Sequence, residues 1–114
     1  MIIPTTIFVT SPTASSADPE NVTVTEANTT LEYILDKDSR AQWMMIGLTF
    51  DNSKGQMVGV TVDPSGNSVS VMDINTKTAD IGVTVHYQQR TSTLRASLDP
   101  GVLNRPPLSD DAGK

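Results

Sequence analysis

The chain has 114 residues, a net charge of −5, one histidine and no cysteine. That length suits one domain with a modest core, and the missing cysteine excludes disulfides, thiolate metal sites and a thiol nucleophile. A single histidine excludes a His-rich metal cluster and any mechanism needing two imidazoles. Scattered charges with an acidic balance speak against nucleic acid and against anionic membrane surfaces. The composition implies no cofactor, and it leaves the oligomeric state open.

The segment Met1 to Thr10 has no basic stretch and no long apolar run, so it reads as no signal peptide, with a cytoplasmic location as the default. No apolar run approaches membrane-spanning length. Apolar residues alternate with period two nearly throughout, with turn residues about every dozen positions. The expectation is an all-β, antiparallel two-sheet β-sandwich, immunoglobulin-like in character, over residues 1–107, with a flexible tail over 108–114.

The first strand is expected from about Thr5 to Thr10, followed by a loose connection from Ser11 to Glu20. Val22 and Val24 face one way in the next strand. Glu26 to Thr29 is a turn, and Leu31 to Leu35 returns as a strand. Trp43 to Phe50 is the most apolar run and is read as a central strand, its methionines filling gaps in the core. Asp51 to Gln56 brushes against a calcium-loop pattern but lacks the third carboxylate and the distant bidentate glutamate, so it reads as a hairpin turn. Val58, Val60 and Val62 run into the turn Asp63-Pro64-Ser65-Gly66-Asn67, and Val69 and Val71 lead back. A faint echo links Val22 to Thr29 with Val69 to Thr76: each is a strand leaving through an acid, an apolar residue and Asn-Thr.

The last hairpin sets Ile81, Val83, Val85 and Tyr87 against Leu94, Ala96 and Leu98. Pairing Tyr87 with Leu94 makes every inward residue meet an inward partner. That register places Gly82 opposite Asp99, Ile81 opposite Pro100 and His86 opposite Arg95. It sets Asp80 diagonally across from Asp99, with Lys77 in the turn just before.

Asp99-Pro100 carries the chemistry of the chain. An aspartate can attack its own main-chain carbonyl to form a cyclic anhydride, and the tertiary proline amide twists readily and leaves more easily than an ordinary one. Such a site needs a proton donor, a group that polarises the carbonyl or activates water, and a held geometry. Asp80 would raise a carboxyl pKa by like-charge repulsion, Gly82 would leave room for a water, and Lys77 would polarise the carbonyl or trap the anhydride. The plain alternative is that Asp-Pro starts a turn, as Asp63-Pro64 does, with Asp18-Pro19 in the loose connection needing no chemistry either, and that Asp80 and Lys77 are solvated charges.

The tail Leu98-Asp99-Pro100-Gly101-Val102-Leu103-Asn104-Arg105-Pro106-Pro107 resembles the C-terminal signature of the small bacterial DP-EP family: Asp-Pro, an apolar pair, Asn, any residue, Pro. Val22 to Leu35 and the strand-turn-strand around Asp63 to Asn75 are similar as well. The resemblance implies a β-sandwich that cuts itself at Asp99-Pro100 in an aspartic-peptidase-like reaction near a lysine. Its substrate would be its own C-terminal segment. The other reading, from a different class, is a non-enzymatic binding or structural sandwich in which the Asp-Pro segment is a conformational clasp.

Overall fold

Alternating apolar residues bury one face of most strands, although Val58 and Val60 in the strand before Asp63 are exposed, and two such sheets close on one another. In the computed structural model, residues 1–107 are described; the tail expected over 108–114 lies outside them. One sheet contains β1 (Ile2–Ser11), β2 (Ala14–Asp18), β4 (Thr29–Leu35), β6 (Met57–Val62) and β7 (Ser68–Asp73) in the order β2-β1-β4-β7-β6. The other contains β3 (Asn21–Val24), β5 (Trp43–Asp51), β8 (Ala79–Gln89), β9 (Arg95–Leu98) and β10 (Gly101–Asn104) in the order β3-β10-β8-β5, with β9 also on β8.

The core lies between the sheets. Leu31, Tyr33 and Leu35 of β4 meet Val83, Val85 and Tyr87 of β8 there, all buried. Trp43 and Tyr87 pack edge to face with ring centroids 5.6 Å apart, the arrangement that the ring quadrupoles favour.

The sandwich is as expected, but its sheets are mixed rather than antiparallel. β1 runs parallel to β4, and β10 runs parallel to β3. After the β1–β2 hairpin the chain crosses to the other sheet as β3 and comes back beside β1 as β4. A crossover of that kind lets two strands of one sheet point the same way.

Three local expectations change. The loose connection expected over residues 11–20 contains an ordered strand, β2, paired with β1. The Trp43 strand is an edge rather than a centre; β4 and β8 take interior places. A bulge at Ile46 shifts its pairing with β8 between Met45 and Gly47, so Trp43, Met45 and Leu48 are buried while Ile46 and Phe50 are half-buried. The segment 51–56 is not a hairpin, because β5 and β6 belong to different sheets. It carries the chain across the sandwich, with Asn52, Lys54 and Gly55 at positive φ. The turn after β6 does form as read: the Asp63 N–H donates to Ser68 O at 3.0 Å and the Gly66 N–H to Asp63 O at 2.8 Å.

The last hairpin is formed by β8 and β9 in one sheet, with the register displaced by two. Tyr87 faces Ala96 and Val85 faces Leu98, whereas the sequence reading paired Tyr87 with Leu94. Leu94 lies outside the strand and is 44% exposed. A slip of two preserves the face of every residue, so alternation alone cannot tell the two registers apart. The wider loop decides, where Gln89 N–H donates to Leu94 O at 2.9 Å.

Candidate functional site

β9 and β10 follow a single line along β8. Val85 pairs with Leu98 and Gly82 with Gly101, so the same register runs through Asp99 and Pro100 and places them opposite Thr84 and Val83. The Val83 N–H donates to Pro100 O at 3.0 Å, which makes Val83 and Pro100 a hydrogen-bonded pair. Antiparallel pairs alternate, so the peptide groups of Asp99 and Gly101 point away from β8. The Gly101 N–H accordingly donates to Glu20 O at 3.1 Å. The Asp99 carbonyl, the one a cut would open, therefore faces the β2–β3 side.

On that side is a pocket of about 160 Å³ lined by Ser15, Ser16, Ala17, Glu20, Leu98, Asp99 and Pro100. Thr84 Oγ1 donates to Asp99 Oδ1 at 2.8 Å, fixing one carboxylate oxygen. Asp99 is exposed, while Pro100 is buried. The Tyr87 hydroxyl donates to Ser15 Oγ at 2.7 Å. Burial pushes the Tyr87 phenol up, its bond to Ser15 opposes this, and the Asp99 charge adds to the rise.

Of the four expected site residues, the structure brings only Asp99 and Pro100 together. Asp80 is register-paired with Leu103, four residues before Thr84, so it lies about 13 Å along β8 from the place opposite Asp99. Its carboxylate instead meets Arg105, with Nη2 to Oδ1 at 3.0 Å. Lys77 is farther away, before the start of β8, where its N–H donates to Gln56 Oε1 at 3.1 Å. Both placements follow from the two-residue register slip and from the direction of β8. Gly82 faces Gly101 rather than Asp99, and His86 faces Ser97 rather than Arg95. The His86 ring is instead bonded to Thr49, Nε2 to Oγ1 at 2.8 Å. Glu20 also lines the pocket, its main-chain carbonyl accepting the Gly101 N–H, and sequence reasoning missed it. It reaches the site through the parallel β3–β10 pairing, and hairpin parity carries no signal for such a contact.

A sequence model of the DP-EP family matches residues 3–106. The chain belongs to the DP-EP family. A search of curated proteins finds no match.

Two further residues of the C-terminal segment have structural roles at the opposite end of β10. Asn104 is fully buried, and its Nδ2 donates to Asp73 Oδ1 at 2.9 Å, joining the two sheets. Arg105 donates its N–H to Val24 O at 2.8 Å and holds Asp80. Burial pushes the Asp73 carboxyl above the usual range, against the lowering effect of its bonds to Asn104 and Asn75. Burial, then the Asp73 charge, pushes the Tyr33 phenol up strongly. Among the described residues, Tyr33 Oη, Asp73 Oδ2, Asn75 Oδ1 and Asn104 Oδ1 are buried without a hydrogen-bond partner.

Proposed function

We propose that this DP-EP protein cuts its own chain between Asp99 and Pro100. The observation that carries the reading is the aim of the Asp99 carbonyl into the pocket lined by Ser15 and Glu20 while Thr84 holds the Asp99 carboxylate. A carboxylate oxygen of Asp99 attacks the main-chain carbonyl carbon of the same residue. The bond to the Pro100 nitrogen breaks, that nitrogen takes a proton, and a five-membered anhydride remains. One water then opens the anhydride, leaving Asp99 with a free α-carboxylate and Pro100 with a free secondary amine. Glu20, on the pocket wall, is the acid we assign to the leaving nitrogen. Ser15 and Ser16 offer hydroxyls to the oxyanion. Lys77 and Asp80 have no part in this scheme.

The test is intact mass over time at pH 4 to 7. A single break giving residues 1–99 and 100–114, absent in Asp99→Asn and retained in Asp63→Asn, supports the proposal. A chain that stays whole for weeks across that range overturns it. The segment would then be the clasp of a binding or structural sandwich, a reading favoured by the unbroken register of β9 and β10 along β8.

A further inference from the structure

Proline in the middle of a ladder removes a donor. In the Val83–Pro100 pair, Val83 N–H reaches Pro100 O, but Pro100 has no N–H to return to Val83 O. A cut at this bond leaves a charged secondary amine on Pro100, its ring carbon Cδ still in the place of a ladder N–H, and the new α-carboxylate of Asp99 provides negative charge beside it. The main-chain pairing of the segment is therefore the same before and after the cut.

Among the described residues, the segment C-terminal to the bond is held independently of it. β10 is hydrogen-bonded on both sides, parallel to β3 and antiparallel to β8. Val102 is 0% exposed in the core, Asn104 bonds Asp73 in the other sheet, and Arg105 pairs with Asp80. Gly101 lies so close to the Asn21 side chain that a Cβ there would collide with it.

We infer that the slot between β3 and β8 is a peptide-binding site whose ligand is a free extended segment beginning with proline. Its occupant is the chain's own segment, residues 100–107, after the cut. Each position of the ligand is specified by what it meets. Val83 N–H donates to the carbonyl of the first residue, the Asn21 side chain lies against the glycine in second place, the core takes a β-branched apolar residue third, and Asp73 takes asparagine fifth. Main-chain pairing supplies affinity and the alternate pockets supply selectivity, as in other strand-addition sites. The inference builds on the self-cleavage reading only for how the segment becomes free.

The test therefore separates the two. In full-length Asp99→Asn protein, a protease recognition sequence is inserted into the exposed loop at residues 91–93 and cut to completion. The two pieces are expected to co-elute in gel filtration and to keep a cooperative unfolding transition. A fluorescent peptide of residues 100–107, labelled at its C-terminus, is expected to enter the nicked protein, displacing the resident strand and raising its anisotropy. The same peptide carrying Val102→Asp is expected to bind at least about tenfold more weakly, because it buries an unpaired charge. Pieces that part in native buffer, or a nicked protein that ignores the peptide, would overturn the slot. A wild-type chain that never cuts while the nicked protein still exchanges would overturn only the self-cleavage reading.

Discussion

Asn104 donates its side-chain Nδ2 to Asp73 Oδ1 at 2.9 Å, and both residues are 0% exposed. One sits at the end of β10 and the other at the end of β7, so the bond spans the two sheets. Asp73 Oδ1 also accepts the Asn75 N–H at 3.0 Å, while Asn75 Nδ2 donates to Val24 O and Glu26 O. A buried polar network closes this end of the sandwich and anchors the last strand to it.

Removing that anchor should be costly. Asn104→Ala leaves the Asp73 carboxyl without its cross-sheet partner and is expected to destabilise the fold by about 1–3 kcal/mol. Urea unfolding would measure it, and a loss below about 0.5 kcal/mol would show that the network contributes little.

The raised Asp73 pKa fixes the sign of a pH effect. The folded chain keeps the proton to higher pH than the unfolded chain, whose aspartate titrates near 3.9. Asp73 therefore supports stability fully below that value, and the support is lost as pH rises through the folded-state pKa. Asp36 acts oppositely at lower pH, since hydrogen bonding from Ser39 holds its carboxyl below the usual range. Asp73→Asn should keep the Asn104 bond and flatten the decline above pH 4. Melting temperatures that fall with pH equally in both proteins would contradict this assignment.

The bulge at Ile46 predicts an uneven response within one apolar run. Leu48 is 8% exposed, and Leu48→Ala should destabilise by about 2–5 kcal/mol. Ile46→Ala, at a half-buried position turned away by the register shift, should stay under about 1 kcal/mol. Equal losses in chemical denaturation would mean that the bulge is misplaced.

Thr84 should act on the rate of the cut without acting on the fold. Thr84→Val removes the bond to Asp99 Oδ1 while keeping a β-branched shape, and cleavage should slow by about tenfold through lost orientation. Mass spectrometry of time points gives the rate. An unchanged rate in Thr84→Val would remove Thr84 from the scheme.

Glu20→Gln tests the proton donor. The variant should cut more slowly, because an amide cannot deliver the proton. A cleavage rate identical to that of the parent chain would exclude Glu20.

Local pattern was enough to read much of this molecule. Alternation at Ile81, Val83, Val85 and Tyr87 gave the inward face of β8, all buried as expected. The turn chemistry from Asp63 to Asn67 gave the β6–β7 hairpin. The echo between the two strand exits also has a structural counterpart: Asn28 and Asn75 both adopt positive φ, 55° and 50°, and the Asn28 N–H donates to Ile74 O at 3.1 Å. Asparagine tolerates that conformation better than most residues, so the shared Asn-Thr marks a shared bend.

The sequence by itself determined the β class, the faces of strands such as β4 and β8 and the position of the Asp99-Pro100 bond, because alternation and turn chemistry are set by neighbours in the chain. The tertiary structure alone decided the β8–β9 register, since a shift of two leaves every face unchanged and only loop closure discriminates. It also decided which charges surround Asp99. Glu20 arrives through a parallel pairing of distant strands, and Asp80 and Lys77 are carried to the far end of β8 by strand direction. Contacts between sheets and between non-consecutive strands depend on how the whole chain closes, and no local period encodes them.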